Sequence, residues 1–211
     1  MTELVFILDR SGSMAGLEED TIGGFNAMLE KQRRHDEETL VSTVLFDTQC
    51  TVLHDRLPLD KVPPLTRENY SVGGCTALLD AVGGAIHHIG NVHKYARRED
   101  VPRRTLFVIT TDGLENASRR YSYEKVRAMI EKEKTKYGWE FLFLGANLDA
   151  AAEAKRFGIG ADRAASYRCD KQGTALNYEV IGDAVMKVRC GVKLSADWAA
   201  PIEADVRKRG K

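Results

Sequence analysis

The eleven residues from Leu4 to Met14, LVFILDRSGSM, constrain this chain more than any other stretch. Leu4, Val5, Phe6, Ile7 and Leu8 form an unbroken apolar run, the mark of a strand buried on both faces of a sheet. The run stops at once on Asp9, Ser11 and Ser13, which alternate with Arg10 and Gly12. One carboxylate and two hydroxyls at D-x-S-x-S spacing on a tight turn can converge on one point. Gly12 helps, because without a Cβ it tolerates backbone conformations that other residues resist. Oxygen donors of this kind suit a hard divalent cation such as magnesium.

The same grammar returns further along. Residues 104–111 (RTLFVITT) read as a second buried strand ending in a carboxylate, Asp112, followed by Gly113. Between the two, the stretch SVGGCTALLD leads through Gly73, Gly74 and Cys75 into Thr76, where apolar periodicity begins a helix running to about His93. Thr76 therefore sits near a helix start, where hydroxyl residues are favoured.

The remaining elements follow from periodicity. Residues 17–35 predict an amphipathic helix with Glu18, Glu19 and Asp20 in its first turn. Gly23 and Gly24 weaken that helix by about 1 kcal/mol each relative to alanine, which points to a close packing contact there. Residues 40–46 and 50–53 predict a hairpin, and the proline-bearing stretch 58–69 a loop or short irregular helix. Residues 121–137 predict a charged helix, 139–144 a strand, 149–157 a short helix, 164–167 a last strand and 175–188 a final amphipathic helix. From Ser195 onward periodicity fades. The expected organisation is one domain over residues 1–194 and a flexible C-terminal tail over 195–211.

Strands alternating with helices predict an α/β fold: a doubly wound, mostly parallel six-stranded sheet, helices on both faces, and one antiparallel edge strand. In such sheets ligands bind beyond the carboxyl ends of the strands, where strand order reverses. Asp9 and Asp112 fall at positions of that kind, and Thr76 opens a helix starting on the same edge.

The three pieces D-R-S-G-S, G-G-C-T and T-T-D-G, in this order, resemble the metal-ion-dependent adhesion site (MIDAS) of the von Willebrand factor type A (VWA) domain. That domain occurs in integrin inserted domains and in many bacterial proteins, and the resemblance covers roughly residues 3–190. It implies a Rossmann-like VWA fold in which Ser11, Ser13 and Thr76 are hydroxyl ligands of Mg2+ or Mn2+, with Ca2+ accepted by the same oxygens. Asp9 and Asp112 would bind directly or through water. It also implies a protein partner whose Asp or Glu carboxylate completes the coordination. Gly12, Gly74, Cys75 and Gly113 would form the rim. By position rather than by resemblance, Arg119 and Arg120, which follow the Asp112 strand on the same edge, are expected with Arg10 to help draw in an acidic ligand. The implied setting is a bacterial cytoplasmic protein working beside ATPases, chelatases or stress-response systems. In integrin-type relatives, partner engagement is coupled to movement of the last helix, here 175–188.

Composition narrows the function. Thirty-one basic residues balance thirty-one acidic ones across 211, which gives no overall bias toward nucleic acid or anionic membrane. Cys50, Cys75, Cys169 and Cys190 are scattered, with no C-x-x-C pair, which points to a reducing compartment. The first strand starts so early that no signal peptide is expected, and no apolar run approaches the roughly 20 residues of a membrane helix.

Other candidates read more plainly. Asp47 is a turn residue rather than a sixth ligand, and Cys75 a small packing residue rather than a redox group. His87, His88 and His93 lie on one helix, but adjacent residues face different directions. The locally basic stretch 94–104 joins a helix end to a strand start on the edge opposite the metal site. The leading function is therefore a magnesium- or manganese-dependent protein-interaction module without enzymatic activity. The alternative is a metal-dependent hydrolase acting on phosphate esters, disfavoured by the lack of a D-x-D pair, a phosphate loop or a G-x-S-x-G elbow. Nucleotide binding fails for want of G-x-G-x-x-G after the first strand.

Overall fold

The computed structural model describes residues 1–146 and 148–209. Among these residues the chain forms one six-stranded sheet in the order β3-β2-β1-β4-β5-β6. The strands are β1 (Thr2–Asp9), β2 (Thr39–Phe46), β3 (Cys50–Pro58), β4 (Arg104–Thr111), β5 (Glu140–Ala146) and β6 (Ala164–Tyr167). All neighbours pair in parallel except β2 and β3, the expected antiparallel edge. All eight residues of β1 are buried, as a central strand covered on both faces requires.

Alternation along β1 sorts its side chains onto two cores. Leu4, Phe6 and Leu8 pack with α1 (Glu18–Arg33), α5 (Lys171–Arg189) and α6 (Ala200–Arg209). Val5 and Ile7 pack with α2 (Leu78–Tyr95), α3 (Tyr123–Tyr137) and α4 (Ala150–Arg156). The chain leaves β1 for β2 on one side and later returns to lay β4 on the other. The strand order thus reverses between β1 and β4, and loops at their carboxyl ends can diverge there.

Two glycine expectations separate. A Cβ at Gly24 would come within 2.5 Å of the Tyr178 ring, so α1 and α5 meet closely there, whereas one at Gly23 would meet nothing within 4 Å. Nearby, the buried Arg189 guanidinium ties the end of α5 to the end of α1. Its Nε donates to Thr39 Oγ1 at 2.9 Å, Nη1 to the Gln32 carbonyl at 2.6 Å, and Nη2 to the carbonyls of His35 and Glu37, both at 3.0 Å.

At the amino end of the sheet, the fully buried Glu3 accepts from Arg56 Nε at 2.7 Å and Nη2 at 3.2 Å. Its Oε2 also lies 2.7 Å from His93 Nε2. Arg56 reaches it from an irregular part of β3, where its φ is 50°. β3 therefore runs to Pro58, longer than the short hairpin arm that the sequence predicts.

The C-terminal segment departs from the expected flexible tail. Leu194, Trp198, Ala199 and Ile202 are buried in the core beside α5, and Trp198 Nε1 donates to the Asp162 carbonyl at 3.0 Å. α6 runs to Arg209, while Gly210 and Lys211 lie outside the described residues. The physical reason is burial of a few large side chains, which anchors a helix whose overall composition is polar. Among the described residues no helix is long and apolar enough to cross a membrane.

Candidate metal centre

Asp9 is the last residue of β1, and Asp112 follows Thr111 at the end of β4. The two strands run side by side, so their carboxyl ends deliver both carboxylates to one place. Asp9 is held rigidly by neutral donors. Its Oδ1 accepts the Ser11 N–H at 2.7 Å and its Oδ2 the Thr111 hydroxyl at 2.6 Å. Its carbonyl accepts the hydroxyl of the buried Tyr70 at 2.5 Å. The Ser11 N–H bond curls the chain back after the strand, and Ser11 is buried there.

From there the hydroxyls form a chain. Ser11 Oγ lies 3.1 Å from Ser13 Oγ, and Ser13 Oγ donates to Asp112 Oδ1 at 2.6 Å. Asp112 Oδ2 is buried and has no hydrogen-bond partner. Thr76 belongs to the same cluster: a Cβ on Gly113 would lie 3.4 Å from Thr76 Oγ1 and 3.7 Å from Ser13 Oγ. The structure thus gathers all five predicted oxygen-bearing side chains. Asp9, Ser11, Thr76 and Asp112 are 2%, 1%, 3% and 4% exposed, whereas Ser13 is exposed, so the cluster opens to solvent on the Ser13 side.

The electrostatics are those of negative charge without a counter-charge. Burial raises the Asp9 carboxyl above its ordinary value, against the lowering effect of the Ser11 and Thr111 hydrogen bonds. Burial also raises Asp112; the Ser13 hydroxyl partly offsets this, and the nearby charge of Asp9 adds to it. Two crowded carboxylates, one with an orphaned oxygen, ringed by hydroxyls, fit a hard divalent cation that prefers oxygen ligands and retains water. Among the described residues no group of three or more His, Cys, Asp or Glu side chains could hold a metal. The donor set here is of the hydroxyl-rich kind instead.

The rim residues fare unevenly. Gly12 N–H donates to the Gly74 carbonyl at 3.1 Å and Gly73 N–H to the Arg10 carbonyl at 2.9 Å, which staples the two loops together. Gly74 has φ +73°, and a Cβ there would come within 2.6 Å of Thr48 Oγ1. Cys75 is exposed, and its N–H donates to the same Thr48 hydroxyl at 2.9 Å. Arg10 is turned away onto Asp47, with Nε 2.9 Å from Oδ2, and onto Thr51. Asp47 also accepts the Gln49 N–H at 2.7 Å, the turn role expected of it. Arg119 and Arg120 use their backbone N–H groups on the Asp80 carboxylate, and Arg120 lines the groove between α2 and the β2–β3 pair. The histidines are not brought together: His88 faces Asp55 and His93 faces Glu3.

Sequence reasoning missed Thr111 and Tyr70, which orient Asp9. The T-T-D-G motif contained Thr111, but only the alignment of β4 beside β1 reveals its partner.

Comparison with known proteins agrees with the fold. The sequence profile for VWA domain containing CoxE-like protein matches residues 1–137. No curated protein matches the chain. Among solved structures, it is similar to proximal thread matrix protein 1 from the mussel byssus with a zinc occupied MIDAS motif. That likeness has a TM-score of 0.59 and 17% identity, over 87% of this chain and 45% of that one. A von Willebrand factor type A protein from Catenulispora acidiphila gives a TM-score of 0.58 and 14% identity, over 86% and 41% of the two chains. The ArnB paralog VWA2 from Sulfolobus acidocaldarius gives 0.56 and 13%, over 87% and 44%. The chain spans less than half the length of each of these structures, and at such identities the likeness is one of fold. With the family profile covering most of the sequence, the chain belongs to the family of VWA domain containing CoxE-like proteins.

Proposed function

We propose that Asp9, Ser11, Ser13, Thr76 and Asp112 hold a divalent cation, Mg2+ or Mn2+ with Ca2+ accepted, and that the chain is a non-enzymatic module recognising an Asp or Glu side chain of a protein partner. The observation that carries this reading is Asp112: Oδ1 takes the Ser13 hydroxyl at 2.6 Å, while buried Oδ2 has no partner. A buried acceptor left unsatisfied costs about 1–3 kcal/mol, more if charged, unless something outside the chain meets it. When bound, the ion supplies a coordination position at which a carboxylate replaces water. The protein's part is to hold two carboxylates and three hydroxyls in place and to exclude water from the Asp9 side.

The neutral hydroxyls leave much of the cation's charge unscreened toward the open Ser13 side, which favours an anionic partner. Gly12, Gly74, Cys75 and Gly113 form a rim without large side chains, so a partner's backbone can approach. Arg119 and Arg120 add positive charge on the same edge, and reversing them should slow association at low salt, whereas Arg10 is paired with Asp47. A cytoplasmic setting suits the exposed thiols of Cys50, Cys75 and Cys190.

The test is calorimetric titration of Mn2+ into the wild type and Asp112→Asn, then affinity capture with metal-loaded and chelated protein. Saturable heat from the wild type, its loss in Asp112→Asn, and partners retained only with metal are the expected results. No Mn2+ heat from the wild type would overturn the reading. Metal-dependent phosphate-ester turnover that disappears in Asp9→Ala would replace it with the hydrolase alternative.

A further inference from the structure

Helix α2 starts without a side-chain cap of its own, because its N-cap residue is Ala77. The open N–H groups of its first turn are met instead by the segment after β4. Leu79 N–H donates to Glu115 Oε2 at 2.8 Å and Asp80 N–H to Ser118 Oγ at 2.9 Å. Asp80 returns the grip by accepting the N–H groups of Arg119, Arg120 and Tyr121 at 3.0, 2.9 and 3.0 Å. Residues 113–121 contain no helix or strand, yet they are fastened to α2 at several points.

Within this clamp Asn116 does something different. Its Oδ1 accepts the Thr76 N–H at 2.8 Å, and its own N–H donates to the Thr76 carbonyl at 3.0 Å. Thr76 is thus bonded at both backbone groups by a single residue, while the next N–H, of Ala77, is held by the Asp47 carbonyl at 2.8 Å. With the backbone fixed on both sides, the direction of the β-branched Thr76 side chain follows from very few rotamers. Glu115 is not available for the same duty. Its carboxylate already accepts from the N–H groups of Leu79, Ala117 and Ser118 and from the Ser118 hydroxyl.

We propose that Asn116 is a positioning residue of the metal centre, whose two hydrogen bonds to the Thr76 backbone set the Thr76 hydroxyl beside Ser13 and Asp112. The inference rests on the ligand role given to Thr76 under Proposed function. Outer groups that orient metal ligands typically contribute about 10- to 100-fold in affinity, and Asn116→Ala is expected to weaken Mn2+ binding by that factor. Asn116→Asp keeps an acceptor for the Thr76 N–H and restores most of the affinity.

Calorimetric Mn2+ titrations of the wild type, Asn116→Ala, Asn116→Asp, Ser118→Ala and Thr76→Ala, with thermal unfolding of each in chelator, decide the matter. Ser118→Ala removes a cap from α2 without touching Thr76, so it should lower the chelated Tm and leave Mn2+ affinity at the wild-type value. If Asn116→Ala does not fold, Asn116→Ser, whose hydroxyl falls short of the Thr76 N–H, takes its place with the same expected loss. Wild-type affinity in Asn116→Ala alongside weakened binding in Thr76→Ala would overturn the inference and leave the metal site standing. So would affinity losses that merely track Tm across Asn116→Ala and Ser118→Ala, or an Asn116→Asp variant as weak as the alanine. Absence of Mn2+ binding by the wild type would remove both.

Discussion

Strand β1 carries a buried carboxylate at each end, and the two are treated in opposite ways. Glu3, at the amino end, is fully buried and receives a forked guanidinium from Arg56 and an imidazole from His93. Asp9, at the carboxyl end, receives neutral donors, the Ser11 N–H and the Thr111 hydroxyl among them, and its neighbour Asp112 receives the Ser13 hydroxyl. Arg10, the adjacent cation, is committed to Asp47. At one end the polypeptide brings its own counter-charge across 53 residues; at the other it gathers negative charge and leaves neutralisation to something external. The first arrangement is structural cement; the second is the one proposed above to receive a cation.

The sharpest way to break this contrast is mutation of the two ends in chelator. Glu3→Ala strands Arg56 and His93 and should destabilise the fold by roughly 3 kcal/mol or more, read by urea denaturation. Asp112→Asn should be neutral or slightly stabilising in the same assay, because it removes unsatisfied buried charge. Equal losses from both would collapse the distinction.

Metal provides the next contrast. Mn2+ at about a hundred times its Kd should stabilise the wild type by about 2.7 kcal/mol and leave Asp112→Asn unmoved, measured as a shift in Tm. Glu3→Ala, although weakened, should keep the metal-induced shift.

A pH series sharpens the comparison further. Asp9 and Asp112 have folded-state pKa values raised above their ordinary ones, so the folded protein binds protons more tightly than the unfolded chain. Their contribution to stability is therefore present at low pH and lost as pH rises from about 4 through the raised values. In chelator, wild-type stability should fall across that window relative to Asp112→Asn, by about 1.4 kcal/mol for every tenfold by which folding tightens the hold on a proton. Saturating metal should reverse the slope, because it favours the ionised carboxylates. Scanning calorimetry from pH 4 upward checks both signs.

The smallest effect is expected from Arg10→Gln. Because Arg10 answers Asp47 rather than the Asp9–Asp112 pair, its loss should change Mn2+ affinity by about 1 kcal/mol or less. A large gain would mean that it acts on the centre directly.

The contrast between the two ends also explains what the sequence could disclose. A buried central strand writes itself as a continuous apolar run, so β1 and β4 were legible, and so were the polar residues placed at their ends. Contiguous motifs carried Ser11, Ser13, Thr76 and Asp112 for the same reason. Hidden were the partnerships that exist only after β4 lies beside β1, such as Thr111 on Asp9 or Asn116 on Thr76. Arg119 and Arg120 look like surface cations in the sequence, yet what the fold uses is their backbone N–H groups. The C-terminal helix is not legible because Ile202 is its one buried residue among charged neighbours, while Leu194, Trp198 and Ala199, which anchor the segment, lie before it.

Arg189 sets a mechanical condition on all of this. Its guanidinium is threaded among the carbonyls of Gln32, His35 and Glu37 and the Thr39 hydroxyl, like a pin through a hinge. Sliding α5 along its axis by a single turn, about 5.4 Å, would withdraw that pin and leave both a charge and several carbonyls bare in a dry interior. α5 therefore behaves as a fixed rail under the sheet, held against axial sliding at its C-terminal end.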